Sequence, residues 1–354
     1  MNNSEYDILY LGPVSGTSLN RANALRRLRH RVEHIDIRDF LPKTVWVDRV
    51  TWRLGGHWFR PFVIRELRKR LRNRHYEVCF VDGGEWVAPP VIRLLRIHAK
   101  KIIIYNLDDP LGTRDGARFR AYRQSLPMYD LCVVVRPQNI AEAKSLGARE
   151  VMHVFRSADE VEHAPRILSM QDKDRWTTEV LFLGTWFPER GPFLCELIDS
   201  GVPLTIRGAK WDRAPEWPLL RPSWKSGPLI GDDYAMAIQC AKVNLGLLSK
   251  DNRDLHTTRS LEIPALGGLF CAERTPEHLA MYEEGKEALF WGTAAECASM
   301  CRAAIDNETA SVAIARAGRS RVIANGHYNE KVLKRILDAM KGGEYVNLRG
   351  DHES

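Results

Sequence analysis

Eleven short apolar runs punctuate this chain, and most are followed by a stretch of helical period. The first half holds YDILYLG (6–12), VEHIDI (32–37), EVCFVDGG (77–84), KIIIYNLDD (101–109), DLCVVVR (130–136) and EVMHVF (150–155). Helices are expected at 18–31, 62–73, 89–98, 115–125 and 138–146. On the first, Leu19, Ala22, Leu25 and Leu28 form one stripe, while Arg21, Arg26, Arg27 and Arg29 fall largely off it. Strands alternating with helices call for a parallel sheet covered on both faces. Such a sheet binds its ligand at the carboxyl ends of its strands.

The alternation restarts after residue 176. EVLFLG (179–184), PLTIRG (203–208), VNLGLL (243–248), GLFCA (268–272) and ALFW (288–291) read as strands. Helices are expected at 190–200, 232–241, 276–284, 294–305, 309–324 and 328–341, with Gly326 breaking the last two. The polar stretch 157–176 reads as a linker, and the Trp- and Pro-rich stretch 211–228 as an irregular loop. At 354 residues the chain exceeds the usual size of one core. The expected division is 1–165, 166–325, a final helix at 326–341 and a disordered tail at 342–354.

No apolar stretch reaches the roughly 18 residues of a membrane span, and the N-terminus does not resemble a signal peptide. The expectation is a cytoplasmic protein. Its seven cysteines form no CxxC pair and read as buried free thiols. The net charge of +7 is uneven: residues 1–160 hold 28 Lys and Arg against 18 Asp and Glu. A basic first half suggests an anionic partner, either an acidic acceptor or the inner membrane surface. Nucleic acid fits less well, because the basic helices carry few aromatic residues for stacking.

Several strand ends carry candidate site residues. LGPVSGTSLNRANAL places Gly12 and Gly16 between a strand and a helix, with Asp36 twenty residues on. The spacing is not that of a dinucleotide fingerprint, so the turn either meets a ligand or is simply tight. In EVLFLGTWFPERGPF, Gly184 and Thr185 end a strand and Arg190 opens a helix. The helix dipole opposes an arginine there unless an anion, or Glu189, pairs with it. Arg207, Gly208 and Lys210 follow the next strand on the same edge. Asp108 and Asp109 end a buried strand, where they serve either catalysis or a turn. Asp232 of GDDY reads as a helix cap. Neither acid pair has metal-ligand company. Finally, DLHTTRSLEIPALGGLF (254–270) sets Asp254 and Glu262 eight positions apart, with Thr258 and Arg259 between them.

The run from Gly227-Pro-Leu-Ile-Gly-Asp-Asp-Tyr234 through VNLGLL and DLHTTRSLEIPALGGLFCAERTPEHLAMYEEGKEALFW resembles the CgeB-like glycosyltransferases. These belong to the wider group-1 glycosyltransferases of the GT-B fold. The resemblance implies two Rossmann-like doubly wound parallel-sheet domains facing a central cleft, the last helix crossing back to the first domain. It implies a nucleotide diphosphate sugar as donor, no metal and a retaining course. In that group two glutamates flank the donor; Glu262 matches the second, which holds the ribose, and Asp254 stands at the first. Arg190 corresponds to the group's diphosphate lysine. Thr185 replaces a phosphate arginine, whose contact would pass to Arg207 or Lys210. An inverting enzyme with Asp108 or Asp109 as general base stays open. So does a non-catalytic sugar-nucleotide or polyanion-binding protein.

Overall fold

The computed structural model describes residues 5–341 as two compact units. The expected disordered tail lies outside these residues. The first unit takes the chain up to Phe155, the short segment Asp251–Arg253, and the chain from Asn329 onward. The second takes Arg156–Lys250 and Asp254–Tyr328.

In the first unit, strands β1 (Asp7–Leu11), β2 (Arg31–Ile35), β3 (Tyr76–Asp82), β4 (Ala99–Tyr105), β5 (Leu131–Val134) and β6 (Val151–His153) form one parallel sheet. Their order is β2-β1-β3-β4-β5-β6. The helices are α1 (Gly16–Arg27), α2 (Val45–Leu54), α3 (Arg60–Arg70), α4 (Pro89–His98), α5 (Arg120–Ser125) and α6 (Gln138–Ser145). Successive side chains on a strand point to opposite faces. Leu9, Cys79, Val81, Ile102 and Ile104 accordingly pack with Val63, Leu67, Val91 and Leu95 of α3 and α4. Their neighbours Ile8, Tyr10, Val78, Phe80 and Ile103 pack on the other face with Ala22 and Leu25 of α1.

Two features depart from the sequence reading. Helix α2 was not expected, because its apolar residues do not form a stripe toward a core: Val45, Trp46, Trp52 and Leu54 are exposed. Arg21, expected off the apolar stripe, is buried. Its guanidinium meets Asp82 at 2.5 Å and donates to the Tyr10 hydroxyl at 3.1 Å.

The second unit carries β7 (Thr178–Leu183), β8 (Leu204–Arg207), β9 (Trp224–Ser226), β10 (Ala241–Gly246), β11 (Phe270–Glu273) and β12 (Leu289–Trp291). Its helices are α7 (Met170–Trp176), α8 (Arg190–Asp199), α9 (Trp217–Leu220), α10 (Gly231–Cys240), α11 (Arg259–Ala265), α12 (Pro276–Met281), α13 (Ala294–Asp306) and α14 (Glu308–Asn325). The parallel order β12-β11-β10-β7-β8-β9 is the dinucleotide-fold order, with its reversal between β7 and β10. The stretch expected to be an irregular loop therefore contains edge strand β9. The expected linker contains α7, whose N-terminus is a capping box of Ser169 and Asp172. Helix α15 (Asn329–Ala339) belongs to the first unit, where Leu333 and Ile336 join the α1 face of the core and Glu330 pairs with Arg27 at 2.6 Å. Among the described residues no helix is long and apolar enough to cross a membrane.

One glycine has a structural duty that its position in the sequence does not reveal. Gly208, expected as a donor contact, has φ +147°, and a Cβ there would lie 1.9 Å from the Gly184 carbonyl oxygen. Gly208→Ala should cost at least about 3 kcal/mol in a denaturant titration, from strain added to a backbone clash. Gly201→Ala, at φ +78° in open space, should cost only about 1–2 kcal/mol.

Candidate functional site

In the second unit the switch between β7 and β10 is fixed by Arg190, at the first turn of α8. Its guanidinium donates to the carbonyls of Thr185 at 2.8 Å and of Leu247 and Leu248, each at 3.0 Å. The rings of Phe182 and Phe187 flank it. Arg190 thus clamps the loops that leave the two central strands. This corrects the expectation of an arginine presented to a phosphate, since the side chain is buried and spent on carbonyls. Gly184 serves the same loop, its carbonyl accepting from the Trp211 indole at 3.0 Å.

Glu262 lies in the first turn of α11 and is 5% exposed. Its carboxylate accepts the Tyr234 hydroxyl of α10 at 2.6 Å and faces His163 Nε2 at 3.6 Å. His163 Nδ1 accepts the backbone N–H of Asp159, so the neutral ring carries its proton on Nε2, toward the carboxylate. Burial alone would raise the Glu262 pKa. Arg259, His163 and the hydroxyls of Tyr234 and Thr258 outweigh burial and hold the group below its ordinary value. Arg259, in the first turn of α11, stands over the Tyr234 ring at 5.7 Å and is partly exposed. Its Nη1 donates to Thr258 Oγ1, and its buried Nε faces Glu262 Oε2 at 3.9 Å. The unit therefore gathers an ionised carboxylate, an aromatic hydroxyl and a partly exposed arginine.

Asp254 does not share this arrangement. It is buried against Arg156, Nη2 to Oδ1 2.8 Å. Arg156 in turn donates its backbone N–H to His256 Nε2 at 2.9 Å, and His256 Nδ1 meets Glu277 at 2.5 Å. Beyond the polar run itself, nothing in the sequence marks this chain of partners. Nearby, the Ser260 hydroxyl meets His278 Nε2 at 2.8 Å, while His278 Nδ1 donates to the Glu273 carbonyl at 2.7 Å. Arg207 donates to Ser226 Oγ at 2.8 Å and covers Trp176. Lys210 is exposed, at φ +66°. Asp232 does not cap α10; it sits in the first turn and pairs with Arg166 at 2.7 Å.

The first unit has its own concavity. A cavity of about 700 Å³ opens at the carboxyl ends of β1 and β3, where the strand order reverses. Gly12, Gly16, Asp36, Asp108, Trp52 and Trp86 line it. Ser18 lines it too, and its buried hydroxyl has no partner. Arg118 spans Glu85 at 3.3 Å and Asp108 at 3.1 Å. Burial, with Asp108 nearby, pushes the Glu85 carboxyl above its ordinary value despite Arg118. Asp36 accepts the Arg38 N–H at 2.8 Å, an ordinary turn cap.

Asp109 is not free to act as a base. Arg253 grips both its oxygens at 2.5 and 2.8 Å, and Asn139 and the Gly112 N–H complete the set. These partners overcome burial and lower its pKa. Its role is to hold Asp251–Arg253 in the first unit. Among the described residues, the one group of three possible metal ligands is Cys271, Cys297 and Cys301, with sulfurs within 4.8 Å of one another. It lies in the apolar core of the second unit. Five of the cysteines are buried, and Cys195 and Cys240 are half-buried.

Residues 190–338 match a glycosyl transferase-like family model. No curated protein matches in sequence. Solved structures resemble the chain over nearly its whole length. Sucrose-phosphate synthase from Thermosynechococcus elongatus is 12% identical with a TM-score of 0.70, over 95% of this chain and 98% of that one. HepE from Anabaena, solved with UDP and glucose, is 12% identical with a TM-score of 0.65, over 96% and 100%. The UDP-forming α,α-trehalose-phosphate synthase from Burkholderia xenovorans, solved with glucose-6-phosphate, is 11% identical with a TM-score of 0.60, over 95% and 100%. At such identities the likeness is one of fold, and that fold is GT-B.

His278 supplies a stability test of the α11 surroundings. Burial lowers its pKa to about 4, from 6.5 in an open chain. As pH falls below 6.5 the unfolded chain binds a proton that the folded one refuses, so stability is lost downward toward pH 4. Between pH 7 and 4.5 this contributes a loss of about 2–3 kcal/mol. Chemical denaturation of His278→Asn should show a pH dependence shallower by that amount.

Proposed function

We propose that the protein is a glycosyltransferase that moves a sugar from a nucleotide diphosphate sugar, UDP-linked, to a hydroxyl of its acceptor. The observation that carries this reading is Glu262 with Arg259. A buried carboxylate kept ionised accepts ribose hydroxyls, and an adjacent, partly exposed arginine neutralises a diphosphate. Both lie within the stretch that matches the glycosyl transferase-like family. HepE, a structural relative, is solved with UDP and glucose. The resemblance of residues 227–291 to CgeB-like enzymes narrows the reading further, and the wider group suggests retention at the sugar.

The acceptor is assigned to the cavity of the first unit. Trp86 in its lining offers a face for a sugar ring. Asp108 and Glu85 accept hydroxyl protons, and the raised pKa of Glu85 brings it nearer the range useful for proton exchange. Departure of the nucleoside diphosphate is assigned to Arg259, with Arg207 and Lys210 as further cations, and not to a metal.

Release of UDP from UDP-glucose and other UDP-sugars, followed with and without simple sugar acceptors, tests the activity. Affinity without any turnover would instead favour a non-catalytic sugar-nucleotide binder. Glu262→Gln and Arg259→Ala should each weaken UDP binding in calorimetry by one to two decades, the worth of a charge-assisted hydrogen bond at about 1.5–3 kcal/mol. Unchanged affinity in both would overturn the donor assignment. Turnover should persist in excess EDTA, and loss restored by magnesium or manganese would contradict the charge-neutralising role given to arginine.

A further inference from the structure

The segment 45–62 exposes an unusual amount of apolar surface for a polar neighbourhood. Trp46 is 73% exposed and Trp58 61%, and Val45, Trp52, Leu54 and Phe62 are exposed with them. Four come from one helix, α2, whose end leads through the turn Gly56–Phe59 into α3. The apolar residues are framed by cations: residues 45–74 hold nine Lys and Arg against two acids, Asp48 and Glu66. Glu66 is engaged by Arg65 and Lys69 at 3.0 Å each, which leaves the excess positive.

We propose that α2, the following turn and the first turn of α3 form a peripheral docking surface for an anionic lipid bilayer. Tryptophan and phenylalanine partition into the interfacial region of a membrane, where an indole keeps its N–H wet and buries its ring. Basic residues beside them meet anionic headgroups. The charge complementarity is what selects a bilayer over a neutral apolar partner. Single-stranded nucleic acid also attracts arginine and aromatic rings, but it requires open ring faces. Two of the four exposed rings here already carry a cation, Arg118 over Trp52 at 5.0 Å and Arg65 over Phe62 at 5.6 Å. Exposed aliphatic Val45 and Leu54 add nothing to base stacking but insert readily among acyl chains. Trp52 also lines the first unit's cavity, so that cavity opens beside the docking surface.

The test uses the full chain and two vesicle compositions, phosphatidylcholine alone and phosphatidylcholine with phosphatidylglycerol. Co-sedimentation with the anionic vesicles at low salt, and not with the neutral ones, is expected. It should weaken steeply as salt rises, because the attraction is screened over about 8 Å at physiological ionic strength. The surface change Trp46→Ser with Trp58→Ser should reduce partitioning by about tenfold or more. Changing Arg49, Arg53 and Arg60, the exposed cations of α2 and the first turn of α3, together to Gln should reduce it by about a hundredfold. Unaltered thermal melting of both variants shows that the fold is kept. No sedimentation of the wild type at low salt overturns the proposal, as does full binding by the Trp46/Trp58 variant. Tight binding of a single-stranded oligonucleotide that is lost with the same two tryptophans would assign the surface to nucleic acid instead.

Discussion

Parallel strands cannot be joined by hairpins, and this constraint orders everything else in the molecule. Each strand must be followed by a crossover, each crossover leaves from the same edge, and the edge collects the loops. In each unit the strand order reverses once, and there the loops part to leave a crevice. Each crevice is pinned by a buried arginine. In the second unit Arg190 spends its donors on carbonyls of two loops. In the first, Arg21 reaches from α1 to Asp82 at the end of β3. These cations set the geometry of the edge, so the residues left to meet a ligand are their neighbours.

Glu262 illustrates how such an edge keeps a charge inside. Burial opposes ionisation, and the opposition is overcome first by Arg259 of the same helix and then by His163 and Tyr234, which come from elements other than α11. The carboxylate is therefore positioned before any ligand arrives, with little reorganisation left to bind one. Glu85 shows the opposite balance. Its single arginine is shared with Asp108, and burial prevails.

The sheets were legible in the sequence because buried parallel strands are apolar throughout, as in Ile102, Ile103 and Ile104. Edge strand β9 was not, being three residues of mixed polarity. Helix α2 escaped because its apolar residues face solvent, which is the reverse of the pattern by which helices are recognised. Helix α7 is polar, yet its Ser169-x-x-Asp172 signature was present to be read. At the site, Glu262 stands out in the sequence as an acid within an apolar run, but Tyr234 and His163, which meet it, lie 28 and 99 positions away and leave no local trace. The places of Arg190 and Asp109 at strand ends suggest a phosphate contact for Arg190 and either catalysis or a turn for Asp109. A sequence shows where a charged side chain starts, not whether backbone carbonyls or a distant Arg253 will consume it.

The chain leaves the first unit at Phe155 and returns for good only at Asn329. Arg27 and Glu330, 303 positions apart, meet within that unit. During synthesis the N-terminal strands must therefore wait for the last helix before the α1 face of their sheet is covered. The second unit, nearly continuous, has its residues available first. A ribosome pausing before residue 329 would hold a half-dressed sheet with Ile8, Val78 and Ile103 lacking the cover of Leu333 and Ile336. For this protein the order of birth and the order of completion run in opposite directions.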